Sequence, residues 1–207
     1  MPDNAVTRRA DANPQSPAAP AAGKRIRASK KAWAGLLFLT TNTYRRLPIF
    51  KEYQPCQLFF KEIDFYRTKF DFELYGYVLM PDHFHLLLHF PPDRDFAAFL
   101  CDFKSAVARL ILDWVQENGR TRLLKQMQVA QKPKRHRDSR YAVFQANSYI
   151  RRVTSSSMFK QKLDYIHDNP LREKLVARAI DYPYSSLRNY EFGKGPVKID
   201  WHGMILR

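Results

Sequence analysis

Cysteine is nearly missing from this sequence. Cys56 and Cys101 stand alone, with no CxxC pair, so neither a disulfide framework nor a zinc knuckle is indicated. Both fall in helix-like segments and read as small, reduced residues in or near a core. Long apolar runs are lacking too: no span is suited to crossing a membrane, and residues 1–30 hold no continuous apolar stretch of the secretory kind. A cytoplasmic setting with no membrane partner is the expectation. Acidic side chains are scarce, with 20 Asp and Glu against 35 Lys and Arg and a formal net charge of +15. Such an excess points to a polyanionic partner, nucleic acid ahead of a membrane surface because no Lys-rich amphipathic helix is evident, with a merely basic surface as the bland alternative.

What is present suits one globular domain. Of 207 residues, 45% are hydrophobic and 14% aromatic, including 15 Phe and 11 Tyr, enough for a single proper core. Residues 1–30 are the exception, rich in Ala, Pro, Asn, Asp and Ser and ending in basic residues, and they read as a disordered basic tail. No internal repeat stands out.

Hydrophobic patterning orders the remainder. A strand is expected over 33–43, a helix over about 51–69 with Cys56, Phe59, Phe60 and Ile63 at helical spacing, and strands at 73–80 and 83–90 joined by a turn at Pro81-Asp82. Asp95 caps a long helix running through Trp114. Eight basic residues between Arg120 and Arg140 read as a mobile loop. Residues 141–150 are ambiguous between strand and loop, and a further helix is expected from Thr154 to Asn169, ended by Pro170. The order β-α-β-β-α, with a final strand and helix weakly indicated, is compatible with an α+β, ferredoxin-like antiparallel sheet covered by helices.

The chemistry gathers at Pro81-Asp82-His83-Phe84-His85. In a strand, residues two apart share a face, so His83 and His85 offer paired imidazoles while Phe84, Leu86 and Leu88 face a core. Two imidazoles are half a metal site. On the last helix Tyr165 and Asn169, four apart, share a face with Met158 and Lys162. The Asn169 amide oxygen can act as a neutral ligand, with Asp168 a less favoured alternative. His89, about 13 Å beyond His85 along the strand, is too far to join them, and His167 points away from Tyr165. The bland readings are a surface histidine pair, a half-buried helix tyrosine and a helix-ending asparagine.

Taken together, Gly76-Tyr77-Val78-Leu79-Met80-Pro81-Asp82-His83-Phe84-His85-Leu86-Leu87, Leu163-Asp164-Tyr165-Ile166-His167-Asp168-Asn169-Pro170 and Tyr182-Pro183-Tyr184-Ser185-Ser186 resemble a known family. It comprises the single-tyrosine, His-hydrophobic-His transposases of the IS200/IS605 type, and the resemblance is closest to the REP-associated tyrosine transposases. It covers about residues 33–190, so that 31–190 reads as the transposase domain and 191–207 as a C-terminal extension. The resemblance implies a ferredoxin-like domain, His83, His85 and Asn169 as ligands of Mg²⁺ or Mn²⁺, and Tyr165 as a nucleophile that cuts single-stranded DNA beside a hairpin through a 5′-phosphotyrosine. Asp82 departs from the asparagine or glutamate that often precedes the first histidine, and reads as a turn residue. Family members include monomers and homodimers.

Candidate DNA contacts are Arg45, Arg46, Arg135, Arg137, Arg151, Arg152 and Lys162, although taken singly each reads as plain surface charge ahead of a specific contact. The rival function is a non-catalytic, ferredoxin-like nucleic-acid-binding protein with exposed strand aromatics, for which Tyr75 and Tyr77 are the candidates.

Overall fold

The computed structural model describes residues 33–129 and 140–200. Four strands, β1 (Gly35–Asn42), β2 (Glu73–Met80), β3 (His83–Phe90) and β4 (Tyr149–Arg152), form one antiparallel sheet in the order β2-β3-β1-β4. The helices are α1 (Tyr53–Phe70), α2 (Phe96–Glu117), α3 (Thr121–Met127), α4 (Ser156–Arg172) and α5 (Leu187–Phe192). The β-α-β-β-α-β run and this strand order are the ferredoxin-like arrangement expected from the pattern.

Strand alternation divides the sheet between two cores. Leu37 and Leu39 of β1 and Phe84, Leu86, Leu88 and Phe90 of β3 meet Phe59 and Ile63 of α1 and Phe99 and Phe103 of α2. Many of the phenylalanines are spent here, with ring centroids of Phe59 and Phe84 only 4.9 Å apart. The opposite face carries Phe38, Val78, Met80 and Leu87, covered by Ile166 of α4. In β2 a bulge between Leu74 and Gly76 shifts the alternation, so Tyr75 joins the α4 side and Tyr77 the α1–α2 side.

Local chemistry sets the ends of these elements. Asp95 caps α2 by accepting from the amides of Ala97 and Ala98, and Ser155 caps α4 by accepting from Met158 N. The segment after α4 seals the outer edge of β2: Leu79 N donates to Tyr184 O and Ser186 N to Tyr77 O, both at 2.9 Å. Val197 enters the α1–α2 core, and Asp200 accepts from Leu74 N and pairs with Arg67.

Several expectations change. The first strand is shorter than 33–43, and two 3-10 turns at 44–46 and 49–51 precede α1. The basic segment is not wholly a loop, because Arg122 and Lys125 lie on α3. Residues 130–139, with Arg135 and Arg137, lie outside the described residues, as does the tail over 1–30. Pro170 does not end α4: it removes one amide donor near the helix terminus, yet Glu173 N still reaches Asn169 O and Leu175 N reaches Pro170 O. Cys101 is exposed, whereas Cys56 is buried. Residues 141–148 make only isolated bridges, and pairing with β1 begins at Tyr149.

Candidate functional site

His83 and His85 sit at the start of β3 with their ring centroids 4.9 Å apart, both buried. Each ring is held at Nδ1. For His83 the partner is Asp82 Oδ1 at 2.7 Å, and Asp82 Oδ2 in turn receives Arg46 Nε at 2.8 Å. For His85 it is Thr40 Oγ1 at 2.7 Å, on the neighbouring strand in direct register. A carboxylate only accepts, so His83 donates through Nδ1, which leaves Nε2 as the nitrogen available to a ligand.

Helix α4 brings the other half of the site. Asn169 Nδ2 lies 3.3 Å from His85 Nε2, so His85 turns Nε2 toward α4 while Nδ1 meets Thr40. The Tyr165 ring packs edge-on to His85 at 5.2 Å and to Phe38 at 6.1 Å, while Phe38 stacks on His85 at 5.4 Å. This close approach depends on Gly76, where an added Cβ would meet Leu163 Cδ1 at 2.8 Å. The outer side of Tyr165 is cationic: Arg172 Cζ is 5.3 Å and Lys162 Nζ 5.9 Å from the ring centroid. A shallow cleft of about 480 Å³ opens beside it, lined by Lys160, Lys162, Asp164, Tyr165 and Arg172 among others.

Electrostatics keep these groups ready as neutral ligands or anion binders. Burial, then the neighbouring His83, Arg46 and Lys162, hold the His85 imidazolium well below the usual histidine range. Burial and then Arg151 lower Lys162. For Asp82, burial pushes the carboxyl up, but the hydrogen bond and charge of His83 and the charge of Arg46 outweigh it, and the net direction is down.

The donor set fits a divalent cation. Asn169 Oδ1 is a buried oxygen with no hydrogen-bond partner among the described residues, an arrangement that costs about 1–3 kcal/mol unless something occupies it. Turned by half a revolution, the Asn169 amide would present that oxygen where Nδ2 now faces His85 Nε2, and with the two imidazoles it would make a mixed nitrogen and oxygen set suited to Mn²⁺ or Mg²⁺. Among the described residues no three His, Cys, Asp or Glu side chains cluster as a metal site, so Asp168 does not join the two histidines in one.

The two halves read from the sequence therefore meet, Tyr165 and Asn169 against His83 and His85. Arg46 is turned into the site by its contact with Asp82, whereas Arg45 lies over the Tyr44 ring at 5.1 Å. Arg45 and Arg46 both adopt positive φ, 53° and 56°, a conformation rarely taken by non-glycine residues. Arg151 and Arg152 are exposed on β4. His89 pairs with Glu73 at 3.6 Å, away from the site. His167 is buried against Ser186 Oγ at 3.0 Å and tethers α4 to the segment that edges β2. Tyr75 and Tyr77 are buried and offer no exposed platform of the kind the rival reading needs. Sequence reasoning read Asp82 as a turn residue alone and passed over Thr40 and Arg172. Of these, only Asp82 carried a signal, as an acid directly beside a candidate ligand.

The family described as "Transposase IS200 like" matches residues 37–169, from β1 to Asn169. Among solved structures, a REP-associated tyrosine transposase bound to a REP hairpin superposes with a TM-score of 0.57 at 20% identity, covering 89% of this chain and 93% of that one. A candidate transposase from Deinococcus radiodurans R1 gives a TM-score of 0.42 at 18% identity, covering 69% of this chain and 96% of that one. Among curated proteins, none matches.

Proposed function

The chain belongs to the IS200-like transposase family, and on that footing we propose that it nicks and rejoins single-stranded DNA at hairpin-forming palindromic repeats, with Tyr165 as nucleophile. The observation that carries this reading is the Tyr165 ring 5.2 Å from His85, on the same helix face that brings the Asn169 amide to 3.3 Å of that histidine.

In the forward step Tyr165 Oη attacks phosphorus in line and the P–O3′ bond breaks. The phenol proton is released to water, the departing O3′ takes a proton from water to become a 3′-hydroxyl, and the 5′-phosphate stays on tyrosine. Rejoining reverses these roles, with an incoming 3′-hydroxyl displacing the phenolate. Lys162 and Arg172 beside the Tyr165 ring draw in the substrate phosphate. His83, His85 and Asn169 would hold Mg²⁺ or Mn²⁺, which when bound withdraws charge from the phosphoryl oxygens. Asp82 and Thr40 fix the imidazoles with Nε2 facing inward.

Incubating the protein with end-labelled single strands that fold into hairpins, with and without Mn²⁺, tests this. Metal-dependent cleavage next to the hairpin, abolished by chelation and by His83→Ala or His85→Ala, is the expected result. Binding of the same strands without cleavage across varied repeats would overturn it.

A further inference from the structure

The site described so far accounts for the phosphate under attack and not for the bases on either side of it. Helix α4 packs against β2 and β3, and on the β4 side of the same sheet face Tyr149 and Arg151 are exposed. Register fixes where these two side chains project. Thr40 pairs with both His85 and Tyr149, and Phe38 pairs with both Leu87 and Arg151; paired residues of an antiparallel sheet share a face. Ile150, between them, packs into the α1–α2 core, so Tyr149 and Arg151 project to the face that carries His83, His85 and Tyr165.

Tyr149, Thr40 and His85 thus form one row across three adjacent strands. At about 4.8 Å per strand the row places Tyr149 about 10 Å from His85, a separation that the nucleotides adjoining a phosphate at His85 can bridge. Tyr149 is 44% exposed, an unusual state for a tyrosine on a sheet this apolar. The other exposed aromatics among the described residues lie elsewhere, Tyr53 and Phe65 on α1 across the sheet and Phe192 on α5. Across the groove Lys162 leans over Phe38 at 4.9 Å and feels the charge of Arg151, so two cations look into the same space.

The platform also has a foundation. The Lys104 ammonium, from α2, donates to Gln145 O at 2.7 Å, Ala146 O at 3.2 Å and Ser148 Oγ at 3.4 Å, and Ser148 Oγ meets Thr41 Oγ1 at 2.8 Å. These bonds hold the residues leading into Tyr149, and the nicking chemistry makes no use of them.

We propose that Tyr149 is a stacking platform for an unpaired nucleobase next to the scissile phosphate, and that Arg151 and Lys162 hold the phosphate of that nucleotide. An aromatic face flanked by cations is how sheets grip single strands with little demand on sequence. The proposal rests on the single-strand nicking reading and names the substrate contact that reading leaves open.

The test uses the full chain carrying Tyr165→Phe, so that the strand stays intact, and an unpaired oligonucleotide with 2-aminopurine at successive positions beside a hairpin. Stacking on Tyr149 quenches the probe at one position. Tyr149→Ala restores its fluorescence and weakens binding of the unpaired strand about tenfold, Tyr149→Phe keeps both within about twofold, and binding of fully paired duplex is insensitive to either change. Unchanged quenching and affinity in Tyr149→Ala overturn the proposal, as does an equal loss on duplex. Loss of quenching in a protein whose tyrosine-intact form never cleaves would leave the platform standing and remove the nicking reading instead.

Discussion

Removing the Asp82 carboxylate is expected to weaken metal binding far more than it weakens the fold. Asp82 receives the His83 Nδ1 proton at 2.7 Å and Arg46 Nε at 2.8 Å. In Asp82→Ala the imidazole loses the partner that fixes its tautomer and ring orientation, and loss of such partners costs roughly 10–100-fold in metal affinity, or about 1.4–2.7 kcal/mol. The structural loss is smaller. The Arg46 side chain is 47% exposed and regains water, so about 1 kcal/mol of stability is at stake. Calorimetric titration of the DNA-free protein with Mn²⁺, alongside urea unfolding, separates the two effects. Asp82→Asn, which keeps an accepting oxygen without the charge, should fall between wild type and alanine. Unchanged Mn²⁺ affinity in Asp82→Ala would refute the positioning role.

Two further predictions concern how α4 and β4 are seated. Gly76→Val puts a branched side chain where even a Cβ comes within 2.8 Å of Leu163 Cδ1 and 3.6 Å of Ile166 Cδ1; overpacking should cost about 1–3 kcal/mol in urea unfolding and also reduce cleavage. Gly76→Ala should be milder, because Leu163 Cδ1 ends a flexible side chain, and equal activity and stability in both variants would contradict the close-packing argument. Burial lowers the Lys104 ammonium from 10.5 to about 8, so as pH falls from 10.5 to 8 the unfolded chain takes up this proton before the folded one. Wild type should lose stability relative to Lys104→Met across that window by about 2 kcal/mol, after discounting for partial exposure, and the difference should be flat below pH 8. Parallel stability curves for the two proteins would show that Lys104 does not titrate as its burial requires.

Much of this was legible in the sequence because period and punctuation agreed. Alternation of His83, His85 and His89 with Phe84, Leu86, Leu88 and Phe90, broken by Leu87, indicated which side of the sheet the histidines occupy, and Pro81-Asp82 set the hairpin turn, so β2 and β3 match their expected limits. The four-residue spacing of Tyr165 and Asn169 put both on one helix face. Local pattern carries no information about the packing distance between α4 and β3, which Gly76 sets from a third element. Pro170 reads as a helix stop from local sterics, but the helix end is decided by the carbonyl partners that Glu173 and Leu175 find. The split of Arg45 and Arg46, one over Tyr44 and the other on Asp82, arises from two consecutive positive-φ residues that no composition rule anticipates. The exposure of Tyr149 likewise depends on β1–β4 register, which short, irregular residues 141–148 obscure.

Mapping the covalent adduct tests the nucleophile most directly. Protein incubated with labelled hairpin-bearing single strand and Mn²⁺, denatured and digested, should yield one peptide carrying a 5′-phosphate-linked nucleotide on Tyr165, and Tyr165→Phe should yield none. An adduct on another residue, or cleavage that persists undiminished in Tyr165→Phe, would contradict the assignment.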